Sequence, residues 1–474
     1  MEAQDYYQAL LSHDARFDGR FFVGVTSTGI YCRPICRVKT PSAANCLFFN
    51  SAALAEAQGF RPCLRCRPEQ APGFSQMDAM HTLAHQAAQL IKQAQVQDTV
   101  QLARRLGVSE RHLRRLFQQA FGVAPSHYLR TQRLLMAKTL LTDTQLPVNK
   151  IALYVGFGST SQFYQHFKTY YQLTPSDWRR NSPLQTGAMI FKLAYRPPLD
   201  WAHLLSYFQT RCIKGVEMVR EQAYFRTVAL LDAQGKLHEG WISISPDSKQ
   251  AVLQLTISDS LEAVIPQVIA RVRSLCDLDC EPDAIHQALG ELANPASGLR
   301  VPGAWDGFEI AVRAVMGQVV TVKAALTLVG RIAELAACKV ETPYPELYQR
   351  FPLAQDFLKL SDETFRAHNI QARKVEILRT IANLIVQGEL VLDTSADYPS
   401  TYQQLLKLKG IGPWTASYIA MRCLRWPDAF LGDDYWIKKL LNVSTAKQAE
   451  TIAQQWKPWR SYAVMYIWRN GACT

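Results

Sequence analysis

Four of the eleven cysteines stand in two close pairs early in the chain. Cys32 and Cys36 form the first pair, and Cys63 and Cys66 form the second. Four thiolates in two such pairs suit Zn²⁺, which takes sulfur ligands in a tetrahedral arrangement. The spacing alone leaves two interpretations open: a closed site that only stabilises a small domain, and a zinc-activated thiolate that reacts.

A second group of residues with chemical potential lies near position 434. Gly410 and Gly412 stand close together, and glycines allow backbone N–H groups to approach a phosphate closely. A helical pattern follows, and then the neighbouring carboxylates Asp433 and Asp434. An ionised carboxylate in a water-poor cleft stabilises a developing cation. The alternative for Asp434 is a helix N-cap without a catalytic role.

Several domains must position these groups, because 474 residues exceed what one hydrophobic core can organise. The predicted fold class is multidomain α+β. We expect a small zinc-bound domain at 1–76, an all-α paired helix-turn-helix domain at 78–180, mixed strand and helix at 188–300, and an all-α domain at 301–474. The family resemblances given below imply that the zinc domain is α/β and that 188–300 forms an antiparallel sheet with helices. The segment 181–187 has the composition of a linker.

The charge balance favours a polyanionic partner. Lys and Arg number 52 against 40 Asp and Glu, which gives +12 at pH 7. The sequence shows neither a secretory signal nor an apolar run long enough for a membrane helix, so we expect a cytoplasmic, nucleoid-associated protein with reduced cysteines. Cys46, Cys276 and Cys280 lack partners at zinc spacing and are predicted to be buried thiols.

Two consecutive helix-turn-helix patterns occupy residues 80–180, and together they resemble the DNA-binding domain of AraC-type transcription regulators. The first reads VQLARRLGVSERHLRRLFQQAF, and the second reads VNKIALYVGFGSTSQFYQHFKTYY. The first predicted reader helix has Ser109 as its N-cap, and Ser159 opens the second. These helices present Arg111, Arg114 and Arg115 in the first unit and Thr160 and Gln162 in the second. One departure from the family is Gln172, which stands where a C-terminal glycine is usual.

The cysteine pairs lie within FVGVTSTGIYCRPICR and GFRPCLRCRPE, which resemble the N-terminal domain of Ada adaptive-response proteins. The resemblance implies that Cys32, Cys36, Cys63 and Cys66 bind one zinc ion. It also implies that Cys32 accepts a methyl group from a DNA phosphotriester, once per molecule. Methylation would make the cluster less negative and raise DNA affinity, helped by nearby basic residues: Arg33, Arg37, Lys39, Arg61, Arg65 and Arg67.

Residues 190–474, including LLKLKGIGPWTASYIAMRCLRWPDAFLGDDYWIKK, resemble the AlkA-type 3-methyladenine DNA glycosylases of the helix-hairpin-helix superfamily. The resemblance implies that Asp434 is catalytic and that Trp414, Tyr418 and Trp468 hold the flipped base. Gln318 and Val319 would fill the vacated stack, and Gly410, Ile411 and Gly412 would contact the DNA backbone, with a monovalent cation at the hairpin. Lys409 replaces a usual proline. Trp414 stands where lyase-type relatives carry a Schiff-base lysine, so no strand cleavage is expected.

The combined prediction is a bifunctional protein of the alkylation-damage response. It would act as a monomer on damaged and promoter double-stranded DNA, hydrolyse the N-glycosidic bond of alkylated purines, and activate transcription through RNA polymerase after methyl transfer to Cys32. Two alternatives stay open. One is a transcription regulator whose glycosylase fold only clamps DNA, and the other is a glycosylase with purely structural zinc.

Overall fold

The computed structural model describes residues 3–75, 83–180, 189–293 and 298–472. The first range contains a four-stranded sheet with strand order β3-β1-β2-β4, in which β2 and β4 are parallel and the other pairs antiparallel. Its elements are α1 (Ala3–Leu11), β1 (Phe22–Val25), β2 (Ile30–Cys32), β3 (Cys46–Phe49), α2 (Ala52–Ala57) and β4 (Arg61–Pro62), with 3-10 turns at Ala15–Phe17, Ala43–Asn45 and Pro68–Gln70.

The second range is wholly helical and contains both helix-turn-helix units. Its helices are α3 (Leu83–Lys92), α4 (Thr99–Arg105), α5 (Glu110–Phe121), α6 (Pro125–Asp143), α7 (Val148–Tyr154), α8 (Thr160–Tyr171) and α9 (Pro175–Arg180). The reader helices α5 and α8 start at N-caps, because the side chains of Ser109 and Ser159 accept from the backbone N–H groups of His112 and Gln162. The predicted starts of both helices are confirmed.

The third range is built on a five-stranded antiparallel sheet with strand order β5-β9-β8-β7-β6. The strands are β5 (Met189–Ala194), β6 (Glu217–Arg220), β7 (Ala223–Leu231), β8 (Leu237–Pro246) and β9 (Val252–Ile257), accompanied by α10 (Trp201–Gln209), α11 (Ile265–Leu275) and α12 (Pro282–Leu289), with 3-10 turns at Asp259–Val264 and Gly290–Leu292. Alternating apolar residues explain the strands: in β9, Leu253, Leu255 and Ile257 are buried.

The last range is helical, apart from two isolated bridges, one between Lys339 and Gln349 and one from Leu347 to Gly215 of the third range. Its α-helices are α13 (Gly307–Met316), α14 (Val322–Ala336), α15 (Ala354–Phe357), α16 (Asp362–Ala367), α17 (Ala372–Val386), α18 (Tyr398–Leu406), α19 (Pro413–Ile419), α20 (Tyr435–Leu440), α21 (Ala446–Ala453) and α22 (Arg460–Ala472). A π-helical turn (Ala420–Leu424) continues α19, and a 3-10 turn (Gln454–Trp456) follows α21. The predicted multidomain α+β class is confirmed.

One hydrophobic core extends from the second helix-turn-helix unit through the sheet into the last helices, with Phe163, Leu255 and Val315 among its buried members. Within the described ranges, no helix combines the length and the apolar character needed to cross a membrane. The predicted linker at 181–187 and the predicted boundary at 76–78 lie outside the described residues. Cys46, Cys276 and Cys280 are buried, as predicted.

The residue that follows each reader helix has a left-handed backbone. Gly122 has φ 68°, whereas Gln172 adopts φ 57° at the corresponding place after α8. A residue with a Cβ is strained there, so we expect Gln172→Gly to raise the free energy of unfolding by about 1 kcal/mol. Urea denaturation measures this gain. Gln172→Ala keeps the Cβ and serves as the control, and equal gains from both variants would contradict the explanation.

Candidate functional site

The four paired cysteines lie together at one end of the small sheet. Cys32 ends β2, and Cys63 directly follows β4, the parallel neighbour of β2. The sulfur atoms of Cys32, Cys36, Cys63 and Cys66 all lie within 4.8 Å of one another. Four ligands at about 2.3 Å from one Zn²⁺ stand roughly 3.8 Å apart, so the donor set fits a tetrahedral ion. The cluster therefore supports the predicted single zinc ion.

Arg33 connects this cluster to its surroundings. Its backbone N–H donates to Cys66 Sγ at 3.3 Å, and Nη1 donates to the Cys66 carbonyl at 3.0 Å. Its guanidinium also forms a buried ion pair with Asp18, with Nε 2.8 Å from Oδ1. N–H donation to a sulfur ligand reduces the charge on that sulfur, and the Asp18 pair fixes the donor in place.

Two of the basic residues predicted to attract DNA near the cluster are internal instead. Arg33 is buried on Asp18, and Arg67 pairs with Glu69 at 2.8 Å and with Asp143 at 2.6 Å. A guanidinium satisfied by buried carboxylates has little charge left for a phosphate. Arg37, Lys39 and Arg65 are exposed beside the cluster and Arg61 is half-buried, so the attraction predicted there falls mainly to the three exposed side chains.

The reader helices present their predicted contacts to solvent. Arg111, Arg114 and Arg115 are exposed on α5, and Thr160 and Gln162 are exposed on the first turn of α8. The opposite faces of both helices are buried, since apolar residues recur there at helical spacing. Both helices therefore present a polar face to solvent, as the predicted contact with a major groove requires.

The two glycines of the hairpin between α18 and α19 have different surroundings. Gly410 has φ 92°, and a Cβ there would lie 2.4 Å from Ile377 Cδ1. A Cβ on Gly412 would meet nothing within 4 Å, so this glycine borders open space. Ile411 is buried and its N–H donates to the Leu408 carbonyl at 3.0 Å, so that group is already used inside the hairpin.

Asp434 receives hydrogen bonds from four N–H groups. Oδ1 accepts from the backbone of Trp436 at 3.0 Å and of Ile437 at 3.2 Å, which makes Asp434 the N-cap of α20. The indole Nε1 of Trp468 donates to Oδ1 at 3.1 Å, and that of Trp414 donates to Oδ2 at 3.0 Å. The cap alternative is thus correct in geometry but incomplete, because a bare cap needs no indole donors. Four donors hold the carboxylate in one orientation.

The neighbouring carboxylate has a different setting. Asp433 is exposed, and its Oδ1 lies 2.7 Å from Lys438 Nζ on the following helix. Exposed ion pairs of this kind contribute little to the stability of the fold. The pair of acids is thus divided between one solvent-facing residue and one residue held among aromatic side chains.

Aromatic rings line the cleft beside Asp434. Trp414 and Tyr418 are stacked one turn apart on α19, with ring centroids 5.4 Å apart and planes within 6°. Burial raises the pKa of Tyr418 to about 12, so its hydroxyl stays protonated at neutral pH. That hydroxyl accepts from Arg422 Nη1 at 3.0 Å, and Arg422 also bonds the Tyr207 hydroxyl from the sheet domain.

Tyr207 and Arg422 escaped the sequence analysis, which assigned no chemistry to the sheet domain. Tyr207 lies in α10, 215 positions before Arg422. Arg422 belongs to the π-helical turn, a feature often found at functional sites. The interruption of helical spacing at Ala420–Leu424 is visible only in the structure, so no sequence signal pointed to this contact.

The predicted wedge segment follows α13. Val319 is fully exposed, whereas Gln318 turns inward and donates Nε2 to the Gly410 carbonyl at 2.9 Å and to Thr415 Oγ1 at 3.1 Å. The structure therefore brings together the hairpin, the wedge segment and the carboxylate cleft. The two predicted wedge residues have different surroundings, since only Val319 projects into solvent.

The fold and the site define a helix-hairpin-helix glycosylase fold joined to a four-cysteine zinc domain and a paired helix-turn-helix domain. The 3-methyladenine DNA-glycosylase from Archaeoglobus fulgidus shares the fold of the second half, with a TM-score of 0.51 at 18% identity, over 60% of this chain and 98% of that one. Models of three protein families match this chain: the AlkA N-terminal domain at residues 190–306, the metal binding domain of Ada at 5–69 and a helix-turn-helix domain at 102–181.

Two relatives define the family. The probable bifunctional transcriptional activator/DNA repair enzyme AlkA of Mycobacterium tuberculosis is 34% identical over 481 residues, covering 98% of this chain and 95% of that protein. DNA-3-methyladenine glycosylase 2 of Escherichia coli is 34% identical over 279 residues, covering 59% of this chain and 96% of that protein. The chain belongs to the family of bifunctional transcriptional activator/DNA repair AlkA proteins.

The two hairpin glycines permit a matched test of backbone contact with DNA. Gly412→Ala adds a methyl group to open space, so we expect an unchanged melting temperature and DNA binding weakened about tenfold. Gly410→Ala forces a Cβ against Ile377 at positive φ, so we expect a lower melting temperature. Fluorescence anisotropy with duplex DNA and thermal unfolding measure the two effects. Undiminished binding by Gly412→Ala would exclude the hairpin as a phosphate contact.

Proposed function

We propose that the chain excises alkylated purines from double-stranded DNA by hydrolysing the N-glycosidic bond, with Asp434 as the catalytic carboxylate. The observation that carries the proposal is the carboxylate itself, which two indole N–H groups and a helix N-terminus hold beside stacked aromatic rings. Family membership supports the same activity. A carboxylate positioned in this way needs no reorganisation when positive charge develops next to it.

In this proposal the damaged nucleotide leaves the duplex before the chemical step. Val319 enters the stack that the base vacates, and the backbone at Gly410 and Gly412 holds the neighbouring phosphates. The flipped base lies against Trp414, Tyr418 and Trp468. An alkylated purine is cationic, so electron-rich aromatic faces attract it beyond ordinary stacking. The monovalent cation predicted at the hairpin belongs to the same proposal.

The alkylated base is already a good leaving group. As the bond between C1′ and the purine nitrogen breaks, its electron pair neutralises the cationic base, and the sugar becomes an oxocarbenium ion. Asp434 stabilises that ion by its opposite charge and accepts a hydrogen bond from water on its way to C1′. The attacking water passes one proton to Asp434, from which it returns to solvent, leaving an abasic sugar and a free base. Lyase-type relatives carry a Schiff-base lysine at the position after the hairpin, where this chain has Trp414. The proposed mechanism therefore contains no covalent enzyme–DNA step.

We propose further that Cys32 accepts a methyl group from a DNA phosphotriester. Cys32, Cys36, Cys63 and Cys66 would hold the zinc ion, which keeps thiols deprotonated at neutral pH when bound. Cys32 Sγ attacks the methyl carbon, a sulfur–carbon bond forms, and the carbon–oxygen bond breaks with its electron pair left on the phosphodiester. The thioether product is stable, so each molecule acts once.

Methylation then strengthens promoter binding, because the cluster loses one negative charge while Arg37, Lys39 and Arg65 stay exposed beside it. We propose that the methylated protein binds its promoter as a monomer at the bacterial nucleoid and contacts RNA polymerase there. The proposed domains are 1–76, 78–180, 188–300 and 301–474. The exposed reader-helix residues Arg111, Arg114, Arg115, Thr160 and Gln162 support the promoter-binding part.

The catalytic assignment is tested by Asp434→Asn. Asparagine is also a good N-cap, so α20 should persist while the negative charge is lost. We expect release of 3-methyladenine from duplex DNA to fall on the order of a thousandfold, measured as free base under single-turnover conditions. Asp433→Asn is the matched control and should keep the wild-type rate, because Asp433 is exposed and paired with Lys438. Release by neither wild type nor variant would favour a DNA clamp that regulates transcription.

The methyl-acceptor assignment is tested by mass spectrometry after incubation with DNA containing methyl phosphotriesters. We expect one added methyl group, located by proteolysis on Cys32 and on none of the other three ligands. Cys46→Ser is the control and should still be methylated, because Cys46 lies in a separate buried cluster. An unmodified protein, with zinc bound in equal amount to protein, would establish a purely structural zinc site.

A further inference from the structure

Val319 occupies a backbone conformation that its side chain disfavours. It is β-branched, its φ is 61°, and its side chain is fully exposed. Val320 and Val322 beside it are also exposed, so the segment presents an apolar edge to solvent. A β-branched residue at positive φ is rare and persists only where its surroundings enforce it. Something in the structure must therefore hold the turn.

Lys374 supplies one part of that support. Its Nζ reaches from α17 and donates to the carbonyls of Met316 and Gln318, each at 3.1 Å. Met316 ends α13, so the ammonium also satisfies a carbonyl at the negative end of a helix. Lys374 is 8% exposed, and in the described ranges it forms no ion pair. Burial lowers the pKa of Lys374, because removing the ammonium group from water disfavours its charged form.

The Gln318 carbonyl belongs to the peptide bond that enters Val319. A donor fixed on this oxygen sets the plane of that peptide and thereby limits φ of Val319. The Gln318 side chain is fixed independently, since its amide donates to Gly410 and Thr415 in the hairpin. The residue before the wedge is thus held from two directions, by α17 through its backbone and by the hairpin through its side chain.

We propose that Lys374 is a positioning residue for base flipping, which holds Val319 projected in its strained conformation before DNA arrives. The proposal rests on the function proposed above, because it requires Val319 to enter the stack. A wedge that is already ordered loses no conformational freedom on insertion. Without Lys374 the turn relaxes, and flipping becomes less favourable while contacts to the phosphate backbone persist. Gln318 acts in the same way through the hairpin, rather than by filling the vacated stack.

The experiment compares Lys374→Met with Lys374→Arg in the full-length protein. For Lys374→Met we expect the single-turnover rate of 3-methyladenine release to fall about tenfold, with the dissociation constant for undamaged duplex changed less than about twofold. Lys374→Arg keeps a buried cation and its donors and should restore most of the rate. Lys323→Met is the matched control: it removes an exposed lysine near the wedge and should weaken binding without slowing release at saturating DNA.

A double-mutant cycle separates wedge positioning from general destabilisation. If Lys374 acts through Val319, Lys374→Met should have no further effect on release in a Val319→Gly protein. An equal loss in both backgrounds would overturn the proposal. If Val319→Gly alone leaves release unchanged, the wedge assignment is wrong even though the glycosylase is active. If the wild type releases no base, the proposed function itself fails.

A second variant keeps the test decisive if Lys374→Met unfolds. Gln318→Leu removes the hairpin attachment and leaves Lys374 in place. We expect slower base release and faster amide hydrogen exchange at residues 317–320 of the free protein, with the melting temperature unchanged. Exchange and release that both match wild type would show that the turn is not held from these two sides, and would overturn the proposal.

Discussion

The buried guanidinium of Arg196 joins the first seventy-five residues to the glycosylase half, and the relative placement of the sites depends on it. Arg196 is 2% exposed, and it donates to the carbonyls of Asp18 at 3.1 Å and Gly73 at 2.7 Å on one side and of Asp279 at 2.9 Å on the other. Separation of the two parts would break the charge-assisted hydrogen bonds from Arg196 to Asp18 and Gly73, so this contact holds them together. Asp18 also pairs with Arg33, whose N–H groups contact Cys66. The zinc cluster and the sheet domain are therefore two residues apart through a chain of polar contacts.

In the cleft around Asp434, single residues also have more than one role. Asp434 starts α20 and also contacts the aromatic rings, so one side chain serves helix formation and the chemistry proposed above. Trp414 and Trp468 stand on α19 and α22, and each directs its indole N–H to this carboxylate. Their rings are thereby oriented by the group they flank. The cleft is consequently a single hydrogen-bonded unit, in which ring orientation and carboxylate orientation cannot vary independently.

Most of the structural features predicted from the sequence were recognised from local patterns of residues. Cysteine spacing identified the cluster, and serine caps identified the reader helices, because both signals involve residues a few positions apart. Long-range polar contacts could not be predicted from the sequence. Arg67 pairs with Asp143, 76 positions away, and the Gln318 side chain donates a hydrogen bond to the hairpin, 92 positions away. A basic residue in sequence looks the same whether it faces solvent or a buried acid. The DNA-attracting role predicted for Arg33 and Arg67 failed for that reason, and the support that Lys374 gives to the wedge was invisible.

The burial of cations also changes how the net charge of +12 bears on DNA binding. Arg196, Arg300 and Arg422 are buried and donate largely to backbone carbonyls or hydroxyls, so their charge is not presented to solvent. Field strength at the surface depends on where charges lie, and exposed cations dominate contact with phosphates. The DNA affinity proposed above therefore rests on exposed local groups, such as Arg111, Arg114 and Arg115 on the first reader helix and Arg37, Lys39 and Arg65 beside the zinc cluster. The proposed methyl transfer would change one charge at that cluster, which is large against three neighbouring cations and small against the whole chain, so its effect on DNA affinity would be local.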